Sequence, residues 1–265
     1  MKRRVDLIGM PSDVHSSYLR GCARAPPLIR AALFCDAYSA ASERGIELGA
    51  GIELNDCGDL PLEENARDDE RIREAVAASA CVGAVPISLG GDHSITYPIL
   101  RGIHVHHGPV DILHFDAHPD LYDEYLGDKR SHASPFARIM EEGLASRLVQ
   151  IGVRTLNRHQ RAQAARFGVE IIEMKDFGRT PPPTFQKPLY ISIDLDAFDP
   201  AFAPGVSHHE PGGLTPREVI DMLLALDCQL VGADVVEYNP TCDASGVTAI
   251  LAAKLTRELS ALASI

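Results

Sequence analysis

The sequence predicts an α/β protein of three layers, with helices on both faces of a central, mostly parallel sheet of about eight strands. Two observations carry this expectation. Short apolar runs of strand type alternate with helical stretches from end to end, so the βαβ rule makes successive strands parallel. Some of those runs, such as 110–115, are apolar almost throughout, as a strand buried on both faces must be. No composition break, internal repeat or low-complexity segment interrupts the pattern, which predicts one domain over residues 1–265.

Val5–Gly9 reads as the first strand, and Pro26-Pro27 open a helix expected to run to about Gly45, the prolines sitting where a missing N–H is harmless. A short strand over 52–56 and an alanine-rich helix from Arg67 to Val82 follow. Val85–Leu89 is a strand, Tyr97–Gly102 belongs to a helix, and 110–115 is the buried strand. Ala133–Gly143 reads as a helix, Arg147–Val153 as a strand, and Asn157–Phe167 as a helix ended by Gly168. Strands at 169–172, 189–193 and 229–235, a helix from Thr215 to Leu226 and a last helix over about 246–262 complete the chain. Thr215 has the residue type of an N-cap, and Arg179-Thr-Pro-Pro-Pro-Thr184 is a rigid loop.

Charge and composition narrow the function. A formal charge of −12 argues against nucleic acid or an acidic membrane surface as partner and fits a cationic substrate. The N-terminus has basic residues but no long apolar stretch, and Asp6 interrupts it, so neither a secretory nor a transit signal is expected. No segment approaches the ~20 apolar residues of a membrane span. The six cysteines form no Cys-x-x-Cys pair and read as reduced, mostly buried thiols of a cytoplasmic protein.

Three strand ends carry metal-type ligands: Gly90-Gly-Asp-His93, Asp116-Ala-His-Pro-Asp120 and Asp194-Leu-Asp196. They offer His93, Asp116, His118, Asp120, Asp194 and Asp196, and the carboxyl ends of parallel strands line one crevice. Period-2 alternation is expected to turn 116, 118 and 120 to one side. Four aspartates in one pocket repel unless dications neutralise them. Hard carboxylates with two imidazoles and no thiolate suit Mn²⁺ or a Mg²⁺-like ion better than structural Zn²⁺. The economical reading is a two-metal hydrolytic site that ionises a shared water. His132, after the polar loop 122–131, is placed at the rim as a proton shuttle, and Glu237, at the end of strand 229–235, is set to meet a cation. His104, His106 and His107 read as solvated loop residues, and His114 as core or support facing away from His118. His208 and His209 remain open as pocket residues.

These segments resemble the signatures of the ureohydrolase (arginase/agmatinase) family, and the chain is similar to plant-type arginases and bacterial agmatinase-like proteins over nearly its whole length. The similarity runs through Ser16–Gly21, Ala25–Arg30, Ser131–Met140, Ala203–His208, Glu210–Thr215 and Val231–Pro240. It implies the arginase-type fold, two Mn²⁺ per subunit and a homo-oligomer, a trimer or hexamer. It also implies that one ion takes His93, Asp116, Asp120 and Asp194, and the other His118, Asp116, Asp194 and Asp196. Asp120 would orient the attacking oxygen, His132 would shuttle protons, and Glu237 would hold a guanidinium. The implied reaction cleaves a guanidinium to urea and a primary amine, most simply L-arginine to L-ornithine; agmatine or another guanidino acid is the alternative. Loop 122–131 departs from the animal arginases, so Lys129 and Arg130 stand only as candidate carboxylate contacts or as surface charges, and 176–188 is shorter than in plant enzymes. Single-zinc deacetylases and metallophosphoesterases fit worse, because this chain keeps all six ligands and lacks the phosphoesterases' further segments.

Overall fold

The computed structural model describes residues 3–264; residues 1, 2 and 265 of the expected domain lie outside the described residues. Strands β1 (Arg4–Gly9), β2 (Glu53–Asp59), β3 (Val85–Leu89), β4 (Val110–Phe115), β5 (Ala145–Ile151), β6 (Glu170–Ile172), β7 (Leu189–Asp194) and β8 (Leu230–Val236) form one sheet. Its order is β2-β1-β3-β8-β7-β4-β5-β6, and every pairing is parallel. The chain runs outward from β1 and β3, crosses to β4 through β6, and returns to fill the centre with β7 and β8.

Alternation along each strand assigns the two faces. Leu113 and Phe115 of β4, with Ile191 and Ile193 of β7, pack against α1 (Ala25–Leu33), α6 (Pro216–Ala225) and α7 (Val247–Leu262). Val110 and Ile112 of β4, with Tyr190 of β7, face α2 (Asp68–Cys81), α3 (Thr96–His107), α4 (Pro135–Glu141) and α5 (Arg158–Phe167). Local signals end the helices as their chemistry requires. Thr215 and Glu218 form a reciprocal capping box on α6, Asn157 caps α5 through the Gln160 N–H, and Gly168 closes α5 in the left-handed region.

Two expectations about elements need correction. The first helix stops at Leu33 instead of near Gly45, because its buried stripe of Ala25, Ile29 and Leu33 meets Asp36 and Ala37 on the next turn. A turn replaces it, with the Gly45 N–H bonded to the Ser42 carbonyl and Ala41 bridged to Glu47. Conversely α3 runs on through His104, His106 and His107 before Gly108 ends it at φ 66°, so these histidines are helical, not loop residues. The cysteines also differ from expectation: Cys22 alone is buried, while Cys35, Cys57 and Cys81 are exposed. Among the described residues no helix is long and apolar enough to cross a membrane.

Candidate metal centre and active site

The four central strands β3, β8, β7 and β4 deliver the site from their carboxyl ends. After β3 the backbone passes so close to its neighbour that a Cβ on Gly91 would lie 1.8 Å from the Ser12 carbonyl oxygen. Only glycine fits there, and the turn it permits brings His93 over the sheet. Asp116 stands just beyond β4, Asp194 closes β7, and Asp196 follows in a short 3-10 turn whose N–H donates to Asp194 Oδ1 at 2.8 Å. Asp120 and Glu237 adopt φ of 49° and 64°, a left-handed conformation rare for non-glycine residues and concentrated at functional sites.

All six sequence-identified ligand candidates converge. His93 Nδ1 lies 3.2 Å from Asp116 Oδ2, 3.1 Å from Asp120 Oδ2 and 3.1 Å from Asp194 Oδ2. His118 Nδ1 lies 3.3 Å from Asp116 Oδ1 and 3.0 Å from Asp196 Oδ2. The two oxygens of Asp116 therefore face the two imidazoles separately. His93 Nδ1 is fully buried yet has no hydrogen-bond partner, although three carboxylate oxygens surround it. Donors that share an ion at ~2.1 Å and at right angles stand about 3.0 Å apart, so three oxygens at this spacing from one imidazole nitrogen match a shared cation. Two ligand-competent triads result, His93–His114–Asp116 and Asp116–His118–Asp196.

Convergence does not come from strand alternation, as the spacing suggested. β4 ends at Phe115, the His118 N–H turns back onto Asp116 Oδ1 at 2.6 Å, and the left-handed Asp120 completes the bend. His114, expected to face away, points into the cluster: Nε2 meets Asp116 Oδ2 at 2.9 Å while the Gln150 amide reaches Nδ1 at 3.0 Å. With both nitrogens engaged, His114 supports Asp116 and is a poorer ligand than its place in the first triad suggests.

Electrostatics shows how strongly the buried carboxylates oppose one another's charge. Burial first, then repulsion from Asp196 and Asp116, drives Asp194 well above the usual carboxylate range; burial, with Asp116 adding to it, pushes Asp196 up to about 6. Bound dications would remove that penalty. Burial opposes charge on Glu237 and His132 alike, but their mutual pairing outweighs it. Glu237 falls to about 2 and His132 rises to about 9, across a 2.8 Å contact from His132 Nδ1 to Glu237 Oε1. The same Oε1 accepts the His93 N–H at 2.9 Å, and Oε2 faces the buried Cys22 thiol at 3.5 Å. His132 Nε2 meets the Ser17 hydroxyl at 2.8 Å.

Residues that sequence reasoning passed over hold these groups in place. His93 Nε2 contacts Ser192 Oγ at 2.9 Å, Ser192 donates to Asp234 Oδ1 at 2.7 Å, and Tyr190 and Thr96 donate to Asp234 Oδ2. Polar residues at alternate places in apolar strands were the available signal. Arg154 joins the loops around the site, donating to the carbonyls of Asp196 at 2.7 Å, Ala197 at 3.2 Å and Glu210 at 2.9 Å.

A cavity of about 210 Å³ opens over the cluster, lined by His118, Asp120, His132, Asp194, Asp196 and Glu237 on its floor and by Tyr122, Tyr125, Thr155, Gln160, His208 and Glu210 further out. His208 packs 5.3 Å from the His132 ring, whereas His209 turns out to bond the Pro204 carbonyl. Lys129 and Arg130 do not line the cavity; Arg130 pairs with Asp69 at 2.7 Å over the Tyr97 ring.

A parallel αβα sheet whose central strand ends gather two imidazoles and four carboxylates beneath an acidic cavity has the parts of a metal-dependent hydrolase. The chain matches the Arginase family over residues 3–261. It is 48% identical over 277 residues to Arginase 1, mitochondrial, of Arabidopsis thaliana, covering 98% of this chain and 81% of the relative. It is 47% identical to Arginase 2, chloroplastic/mitochondrial, of the same plant, covering 98% and 80%. The solved arginase from Medicago truncatula superimposes with a TM-score of 0.95 at 45% identity, covering 99% of this chain and 88% of that one. The chain belongs to the Arginase family. The names of these relatives also correct the location expected from composition: they are mitochondrial or chloroplastic/mitochondrial proteins and point away from the cytoplasm.

Proposed function

We propose that this chain is a binuclear manganese arginase, a single domain that hydrolyses L-arginine to L-ornithine and urea. The observation that carries the reading is the orphaned, fully buried His93 Nδ1 among three carboxylate oxygens, beside a second imidazole set that shares Asp116. One ion would be held by His93, Asp116, Asp120 and Asp194, and the other by His118, Asp116, Asp194 and Asp196. Oxygen and imidazole donors without thiolate favour Mn²⁺. When bound, the ions supply Lewis acidity that ionises water near neutral pH.

The protein's own residues do the rest. Glu237, ionised and on the cavity floor, attracts the guanidinium, which stays protonated at neutral pH. Asp120, on the same floor, orients the attacking oxygen through its carboxylate. His132, held protonated by Glu237, gives its proton to the departing amine nitrogen, and the Ser17 hydroxyl at Nε2 supplies the route for its replacement. The acidic cavity, in a chain of formal charge −12, suits a cationic substrate. Exposed Leu28, Phe34 and Tyr38 support a homo-oligomer, which light scattering would size as a trimer or hexamer.

The test is urea release from arginine by manganese-loaded wild type, Asp120→Ala and Asp194→Ala, with metal content measured alongside. Both variants are expected to lose retained Mn²⁺ and urea production together. Full urea production by either would refute the assignment.

A further inference from the structure

We propose that Gln150 is a positioning residue for the metal centre: it sets the tautomer of His114, so that this imidazole donates a hydrogen bond to Asp116 and holds that carboxylate in place. This rests on the metal-dependent reading above and deepens it, naming what holds the carboxylate between the two ion positions. Gln150 of β5 stands directly opposite His114 of β4 in the parallel register, and both are 0% exposed. Gln150 Nε2 lies 2.7 Å from the Pro119 carbonyl oxygen and 3.0 Å from His114 Nδ1. A carbonyl oxygen only accepts, so the atom facing Pro119 is the NH2 group, and its two hydrogens serve the two neighbours. The Pro119 bond thereby orients the amide. Gln150 Oε1 is buried without a partner among the described residues, so the side chain acts on its surroundings through the NH2 group.

That orientation decides where the hydrogen of His114 sits. A ring nitrogen that faces an N–H donor must offer its lone pair, so Nδ1 is bare and the hydrogen is on Nε2. Nε2 lies 2.9 Å from Asp116 Oδ2 and donates to it. Phe136, 4.0 Å away between ring centroids, and His93, at 4.9 Å, pack against the His114 ring and hold its plane. Asp116 Oδ1 is held separately, by the His118 N–H at 2.6 Å. One donor thus fixes each oxygen, and the remaining lone pairs are left to face the two imidazole sets. The opposite tautomer would turn a lone pair of His114 onto Asp116 Oδ2, and two facing acceptors repel. The donor that prevents this comes from the neighbouring strand, outside the ligand segments themselves.

Neutron diffraction from crystals of the manganese-loaded wild type reads the tautomer with no substitution made. The map is expected to show deuterium on His114 Nε2 and none on Nδ1; deuterium on Nδ1 overturns the proposal. Mn²⁺ titration against a competing chelator, with kcat and KM on arginine at saturating Mn²⁺, compares wild type with Gln150→Leu, His114→Phe and the double variant. Gln150→Leu is expected to bind Mn²⁺ roughly ten- to a hundredfold more weakly, the factor carried by the partners that orient metal ligands. Its KM for arginine stays within about threefold of wild type, because Gln150 does not line the cavity. The double variant should lose no more than about threefold in Mn²⁺ affinity beyond His114→Phe, since Gln150 acts through His114. Mn²⁺ affinity within about threefold of wild type in Gln150→Leu, or losses that multiply in the double variant, overturn the role of Gln150 while wild type still binds Mn²⁺ and releases urea. Wild type that does neither refutes the underlying reading, and the role of Gln150 falls with it.

Discussion

Replacing Ser192 with alanine removes one hydroxyl, 0% exposed, that lies between a candidate ligand and a buried carboxylate. Two groups lose their partner: His93 Nε2, which meets Ser192 Oγ at 2.9 Å, and Asp234 Oδ1, which accepts from it at 2.7 Å. Asp234 Oδ2 keeps its bonds from Tyr190 at 2.5 Å and Thr96 at 2.9 Å, so the damage is confined to one oxygen and one imidazole nitrogen. Each buried group left unmatched costs roughly 1–3 kcal/mol, about 2–4 kcal/mol together once partial relaxation is allowed. For a chain of 265 residues, roughly 2 °C of Tm goes with each kcal/mol, so the metal-free variant should melt about 4–8 °C below wild type. A ring that has lost its outer anchor also presents Nδ1 less firmly, and removal of such a partner weakens metal binding roughly ten- to a hundredfold. Calorimetric melting of the metal-stripped proteins and Mn²⁺ titration against a competing chelator measure the two effects separately. Equal Mn²⁺ affinities, within about threefold, would refute the claim that Ser192 orients His93.

The His132–Glu237 pair predicts a pH signature. His132 is raised from 6.5 to about 9, so its stabilisation is complete below pH 6.5 and fades as pH rises through about 9. Glu237 is lowered from 4.5 to about 2, so its share is complete above pH 4.5 and is lost as pH falls through about 2. Denaturant unfolding of wild type and Glu237→Gln between about pH 5 and 10 should therefore show a gap that is widest near pH 5–6 and narrows towards pH 10. A gap independent of pH would contradict the pairing. Thr215→Ala breaks the capping box on α6, away from the cavity, and should lower stability by about 1 kcal/mol, or roughly 2 °C in Tm, with kcat on arginine unchanged. Loss of activity in proportion to lost stability would place α6 closer to the chemistry than its position suggests.

The elements most legible in the sequence were those whose pattern is local. Val85–Leu89 matches β3 end for end, because an apolar run bounded by glycines leaves little choice. Asn157 and Gly168 bracket α5 through an N-cap and a left-handed C-cap, chemistry that is itself written in the residues. The helix expected to reach Gly45 failed because helix-compatible residues beyond Leu33 had no face to bury, which is a tertiary fact. The six ligand candidates were legible as types at strand ends. Their approach depends on the backbone bend through Asp120 at φ 49°, which period-2 reasoning cannot supply. The support behind them was illegible for a related reason. Ser192 and Asp234 are ordinary residues until β7 and β8 pair with Ser192 opposite Asp234.

We propose that Asp116 lies between two cations, and the Mn²⁺ stoichiometry of the chain decides it. Metal-stripped wild type titrated with Mn²⁺ should bind two ions per chain and regain urea release from arginine as the second site fills, while Asp116→Ala should retain neither. Full activity at one Mn²⁺ per chain, or two tightly held ions in Asp116→Ala, would contradict it.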